Sequence, residues 1–292
     1  MDVLAAVLAL LAALLFAAAS VAQRRAAAEV PDEAARGGRL VARLVRSRRW
    51  WLGTVGDTAA YVVQAAALGL GSVLLVQPLL VSTLLFALPL EARHSGRPIT
   101  TTQRWCSGAL VVALALFVVV GEPTAGVDRR PFVDWLPVGV VLLMVTAACV
   151  VGAGGRRGPR RAALLAAAAG ICYGLVGVLT KSVVSLLTTG LVPLLTGWET
   201  WVLVVAVAGG TFLQQIAFGA GPLSASLPAV TVGEPVVASV LGVLVLGESI
   251  RAGGPVLVLI GILIAVMIVA TAVLARSTTI TPPAATRTGP TS

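Results

Sequence analysis

Charge is what this sequence has least of. Charged residues fill 11% of its 292 positions and hydrophobic residues 58%, whereas soluble domains carry about 25% charged residues. A water-soluble fold would leave much of that apolar surface without a partner, which excludes the class. Cysteine is scarce as well. Cys106, Cys149 and Cys172 are odd in number and lie in or beside apolar runs, so they build neither a disulfide framework nor a zinc spacing and read as small packing residues. The chain has a single histidine and no H-E-x-x-H, and "GTVGD" offers one aspartate where paired-aspartate proteolysis needs two at depth. An enzyme is therefore not expected, nor a cofactor.

Long apolar runs are what the chain has most of. About 20 apolar residues suffice to cross a bilayer as a helix, and nine segments of that kind can be placed, roughly 2–22, 50–70, 72–92, 100–121, 135–154, 161–187, 198–219, 222–247 and 253–275. The expected fold is all-α, a polytopic membrane protein. All six tryptophans fall near proposed segment ends, as an interfacial aromatic belt requires. "TTGLVPLLTG" after the long sixth segment also reads as a short re-entrant piece, which leaves ten helices as the alternative. The first segment has a cleavable look at "SVAQ", but its acidic "MD" start favours a retained helix over a signal peptide.

Lysine is nearly absent, so arginine sets the orientation. Eight arginines lie in 23–49; Arg93, Arg97, Arg104, Arg156, Arg157, Arg160, Arg161, Arg276 and Arg287 follow. With nine spans all of these share one side, and only Arg129, Arg130 and Arg251 fall on the other. Positive charge in short loops stays cytoplasmic, so the expectation is a plasma-membrane protein with its N-terminus outside and C-terminus inside. The same bias accounts for the net charge of +9 without nucleic acid as a partner. "ARGGRLVARLVRSRRWW" reads either as a helix lying on anionic headgroups or as a disordered basic loop. The Pro/Thr-rich tail reads as disordered.

A duplication is visible in the chain. "QAAALGLGSVLLVQP" (Gln64–Pro78) and "QQIAFGAGPLSASLP" (Gln214–Pro228) share Gln, Ala, Gly, Gly and Pro in register, and "LPLEAR" and "VLGESIR" close the two copies alike. The expected organisation is a first four-helix repeat at 1–122 carrying the basic loop 23–49, a linker helix region at 123–158, a second four-helix repeat at 159–276 and a tail at 277–292. Four helices plus one linker helix would insert the second copy in the opposite sense. Inverted repeats of that kind build alternating-access transporters with a site at mid-depth.

"GDTAAYVVQAAALGLGSVLLVQPLL" and "AFGAGPLSASLPAVTVGEPVVASVLGVLVLGES" resemble the drug/metabolite transporter superfamily, and the helix–Pro–helix–"LGE" cadence of the second is similar to its EamA-like ending. Nine spans and a basic first loop followed by "WWLG" look most like the NIPA-type magnesium transporters. The resemblance covers almost the whole chain and implies a transporter of a small solute, with magnesium as one candidate cargo.

Acids at depth carry the functional reading. Glu234 has no charged neighbour between Leu223 and Gly247 and falls near the middle of its segment, and Asp57 lies a few turns inside its own. A charged side chain in mid-membrane costs about 2.5–3.5 kcal/mol on insertion scales and normally faces a cavity or a partner. Both acids are candidate ion or metal ligands; the plain alternatives are a protonated Glu234 bonded to a neighbouring helix and an Asp57 reached by water. Pro235 removes a backbone donor and Gly233 admits a neighbouring backbone, so "GEP" predicts a local hinge beside the acid; Pro78 is a further hinge candidate, in the first copy. Gln64, Gln77, Tyr61, Tyr173, Gln214, Gln215 and Thr231 are candidates for the same cavity or for interhelical hydrogen bonds. Lys181 reads either as an outer-end lysine reaching the headgroups or as a counter-ion to Glu234 or to an anionic solute. Gly170, Gly174 and Gly177 predict close helix packing. The partners expected are the bilayer and a small solute or cation, with a homodimer left open. An exporter of a small organic metabolite or drug and a non-transporting membrane subunit stand as alternatives.

Overall fold

The computed structural model describes residues 2–28, 48–95, 98–154, 158–250 and 254–277. The basic surface segment expected at 23–49 falls largely outside them, and the tail beyond Ser277 wholly so. Helices make up nearly all of the described chain: α1 (Asp2–Ala28), α2 (Arg48–Leu70), α3 (Val73–Leu80), α4 (Thr83–Ser95), α5 (Thr101–Gly121), α6 (Phe132–Gly154), α7 (Pro159–Thr189), α8 (Leu191–Thr196), α9 (Trp198–Ala220), α10 (Leu223–Leu244) and α11 (Pro255–Ser277). Two short strands, β1 (Pro123–Thr124) and β2 (Ser249–Ile250), pair antiparallel.

Each expected segment is helical. Among the described residues eight spans are long and apolar enough to cross a membrane, α3 and α4 together making one of them. Helix α2 has the length, at 23 residues, but its apolar character is diluted by Asp57, Tyr61 and Gln64, which recur three and four positions apart and so share one face. The re-entrant expectation at "TTGLVPLLTG" corresponds to α8, a separate short helix.

The starts and stops follow local chemistry. Thr100 and Gln103 form a reciprocal capping box at α5, each satisfying a donor that the helix would otherwise leave open. Ser72 accepts from Leu75 N at 3.1 Å to start α3. Helix α7 begins on Pro159, whose missing N–H costs nothing in a first turn.

Packing relies on small residues. Ala5, Ala9, Ala12, Ala13 and Ala17 of α1 are fully buried and bring it close against α2, with Phe16 edge-on to Tyr61 at 4.8 Å between ring centroids. On α7 the expected glycine strip is in contact with α10. A Cβ added at Gly170 would lie 3.2 Å from the Gly233 Cα, and one at Gly174 would lie 2.6 Å from the Val237 Cβ. Helix α6 is peripheral, with only Trp135 and Ala153 buried. Trp135 packs edge-on against Trp198 at 5.7 Å, so this tryptophan is a packing residue, whereas Trp51, Trp105 and Trp201 are exposed.

Contacts between connections assign them to two ends of the bundle. At one end β1 pairs with β2, Arg129 reaches Glu199, Ser182 reaches the Asp128 carbonyl, the start of α3 meets Glu248 and Gly71 abuts Ala5. At the other, Gln103 bonds Ser277 at 3.1 Å and Gly221 abuts Gly158. The helix break at Gly71–Ser72 and its sequence counterpart at Gly221–Pro222 thus lie at opposite ends.

Candidate functional site

At mid-bundle, α1, α2, α3, α4, α10 and α11 line a part-open cavity of about 250 Å³. Tyr61, Gln64, Gln77, Thr231, Glu234 and Pro235 all line it, together with Phe16, Ser20, Thr83 and Thr271. Helix phase explains the grouping: Tyr61 and Gln64 are three apart on α2, Thr231 and Glu234 three apart on α10, and such pairs share a face.

The Glu234 carboxylate receives no hydrogen bond or ion pair from any described residue. Gln77 is 1% exposed, and its side-chain nitrogen has no partner either; it packs against Gly177, where any side chain would collide with it. A buried polar group without a partner costs about 1–3 kcal/mol, and the Gln77 nitrogen is one; Glu234 is half-buried on the cavity wall and turns its unmet capacity to the cavity. Thr231 Oγ1 donates to the Leu227 carbonyl at 2.9 Å. Pro235 supplies no N–H to the Thr231 carbonyl, yet α10 runs through Gly233 and Pro235 without interruption. The hinge expected at "GEP" is therefore not an unwound break. The helix stays continuous because Gly170 and the rest of α7 pack against it there.

Other candidate residues stand elsewhere. Asp57 does not line the cavity; it lies one turn, about 6 Å, along α2 from Tyr61, so Asp57 and Glu234 are not two ligands of one chamber. No group of three or more His, Cys, Asp or Glu that could hold a metal occurs among the described residues. Gln214 accepts from the Tyr173 hydroxyl at 2.9 Å, an interhelical bond between α9 and α7, and Gln215 is exposed. Pro78 lines an adjoining apolar cavity.

Lys181 is neither a headgroup lysine nor the counter-ion of Glu234. It is 2% exposed and donates to Glu248 Oε1 at 3.0 Å, with Asp128 at 3.8 Å. Glu248 also accepts from Val73 N at 2.8 Å and Leu74 N at 2.9 Å, the open donors at the start of α3, where a negative charge is favoured. Beside this knot Arg129 holds Glu199 at 2.8 Å. One end of the bundle is thereby tied together through α3, α7, α9 and two connections.

Over 279 residues the chain is 35% identical to an uncharacterized protein of Corynebacterium glutamicum, covering 95% of this chain and 96% of that one. The chain belongs to that protein's family. The relationship spans both halves of the bundle. No family model matches the chain, and no solved structure does.

Sequence reasoning missed the Lys181–Glu248 pair, whose members are 67 positions apart and read as unrelated segment-end charges. It also missed Phe16, Ser20, Thr83 and Thr271 in the cavity wall. Ser20 and Thr271 left a signal, as hydroxyls set within strongly apolar runs.

Proposed function

We propose that this chain is an integral membrane transporter, not an enzyme, which moves a small solute by alternating access through the cavity at Glu234. The observation that carries the reading is an unpartnered carboxylate on the wall of a mid-bundle cavity, beside an unpartnered Gln77. An acid held that way is poised for a cation from outside the protein.

The architecture that suits this function is nine crossings in two inverted repeats around linker helix α6, of the drug/metabolite transporter type. The opposed positions of the Gly71–Ser72 and Gly221–Pro222 breaks support it. So does the matching packing of α1 on α2 and of α7 on α9. Arg48, Arg93, Arg104, Arg160, Arg161 and Arg276 gather toward the end opposite the charge knot, which makes that end cytoplasmic by the positive-inside rule and leaves the N-terminus outside. In this arrangement the knot of Lys181, Glu248, Arg129 and Glu199 seals the outer end, and the cavity belongs to a state closed to the outside. A divalent cation such as magnesium and a small organic cation or metabolite are the candidate cargoes. Magnesium takes oxygen ligands and keeps several waters; Glu234, Thr231 and the amides could serve it.

Flux into proteoliposomes tests the reading, with isotopically marked magnesium and radiolabelled amines as probes. Glu234→Gln should abolish flux of the transported probe while leaving expression and assembly intact. Wild-type flux in the Gln variant would return Glu234 to the role of a structural acid.

A further inference from the structure

The cavity at Glu234 does not end at α10. An apolar cavity of about 190 Å³ adjoins it, and the two share Val81, Thr231, Pro235 and Thr271. Apart from Ser239 its other walls are hydrocarbon, including Leu74, Phe117, Ile264 and Met267. Val236 and Val240 also line it and are 37% and 49% exposed, so this chamber opens on the flank of the bundle between α10 and α11.

We propose that the solute is an amphiphilic amine, its ammonium group at Glu234 and its hydrocarbon part in the apolar chamber. The proposal rests on the reading of the Glu234 cavity as the transport site and names what that site accepts. One carboxylate with no protein cation beside it matches one positive charge. The edge-on pair of Phe16 and Tyr61 adds aromatic surface that attracts organic cations. Gln77, whose amide nitrogen lacks an acceptor, takes a hydroxyl or ether oxygen near the amine. The apolar chamber decides between the cargo classes. A hydrated magnesium ion gains nothing from walls that cannot bond its water, whereas a hydrocarbon chain gains from every methylene it buries. The flank opening gives such a solute a route in from the bilayer.

The test is equilibrium binding of a radiolabelled n-alkylammonium series, methyl to octyl, to the full chain in nanodiscs, with binding to empty nanodiscs subtracted and magnesium chloride as competitor. Affinity should rise about fourfold per added methylene until the chamber is full, and Glu234→Gln should remove that binding. Val240→Trp adds bulk to the chamber wall at a half-exposed position. It should flatten the chain-length dependence and leave methylammonium binding unchanged. Glu234-dependent binding with no chain-length effect overturns the amphiphile and leaves the site standing, as does binding of magnesium alone at Glu234. A chain-length effect that survives Glu234→Gln marks the chamber as a lipid-tail groove and overturns the proposal. Unchanged chain-length dependence in Val240→Trp places the tail elsewhere and overturns it too. If no probe binds in a Glu234-dependent way, the transport-site reading falls with it.

Discussion

Glu248 accepts three hydrogen bonds within 3.0 Å, two from backbone N–H groups and one from an ammonium. Glu234, reached along the same helix and its following turn, accepts none from any described residue. Both acids belong to an apolar stretch of sequence, and both bear the cost of leaving water. At Glu248 the fold sets three donors against that cost, and the acid holds α3, α7 and the α10–α11 connection together. At Glu234 the fold supplies a cavity instead of a partner. The difference teaches how to read these two acids: the saturated one belongs to the structure, and the one with unmet capacity beside a cavity belongs to function.

The comparison can be broken at its saturated side first. Removing one member of a buried ion pair costs about 3–5 kcal/mol, because the other charge is left without compensation. Glu248→Leu should therefore lower the free energy of unfolding in mixed detergent–SDS micelles by about that amount, and adding Lys181→Met should recover most of it. A double variant no more stable than the single would mean that the Val73 and Leu74 amides, not Lys181, dominate the knot. Next in size is the α7–α10 crossing that positions Glu234. Gly174→Ala would drive a methyl against Val237 and the Glu234 carbonyl and should cost about 1–3 kcal/mol by overpacking. The smallest effect belongs to Gly139 on peripheral α6, where an added Cβ meets nothing within 4 Å. Gly139→Ala should stabilise the protein by up to about 1 kcal/mol through helix propensity alone, measured in the same micelles.

Helix positions were legible in the sequence because apolar length is a local property; the nine expected segments are helical, the one at 72–92 as the pair α3 and α4. The cavity was legible in part for a related reason. Tyr61, Gln64, Thr231 and Glu234 are polar residues at helical spacing in apolar segments, and few surfaces other than an internal one can accept them. Which acid would find which base was not legible. Lys181 pairs with Glu248 because the turn after α10 folds back onto α7 and the start of α3, a tertiary event that no spacing encodes. Asp57 shows the converse limit: it shares a helical face with Tyr61, yet one turn along the axis takes it out of the chamber wall. The continuity of α10 through Gly233 and Pro235 was hidden as well, since the close contact with Gly170 that supports it comes from another helix.

The claim that Glu234 is held for a solute and not for the fold is tested most directly by the unfolding free energy of Glu234→Gln in mixed micelles, set beside Glu248→Leu. The amide fills the same space without a charge to desolvate, so Glu234→Gln should be at least as stable as the parent. A loss approaching the 3–5 kcal/mol or so expected for a broken buried pair would show that Glu234 holds the bundle together as Glu248 does, and would contradict the account.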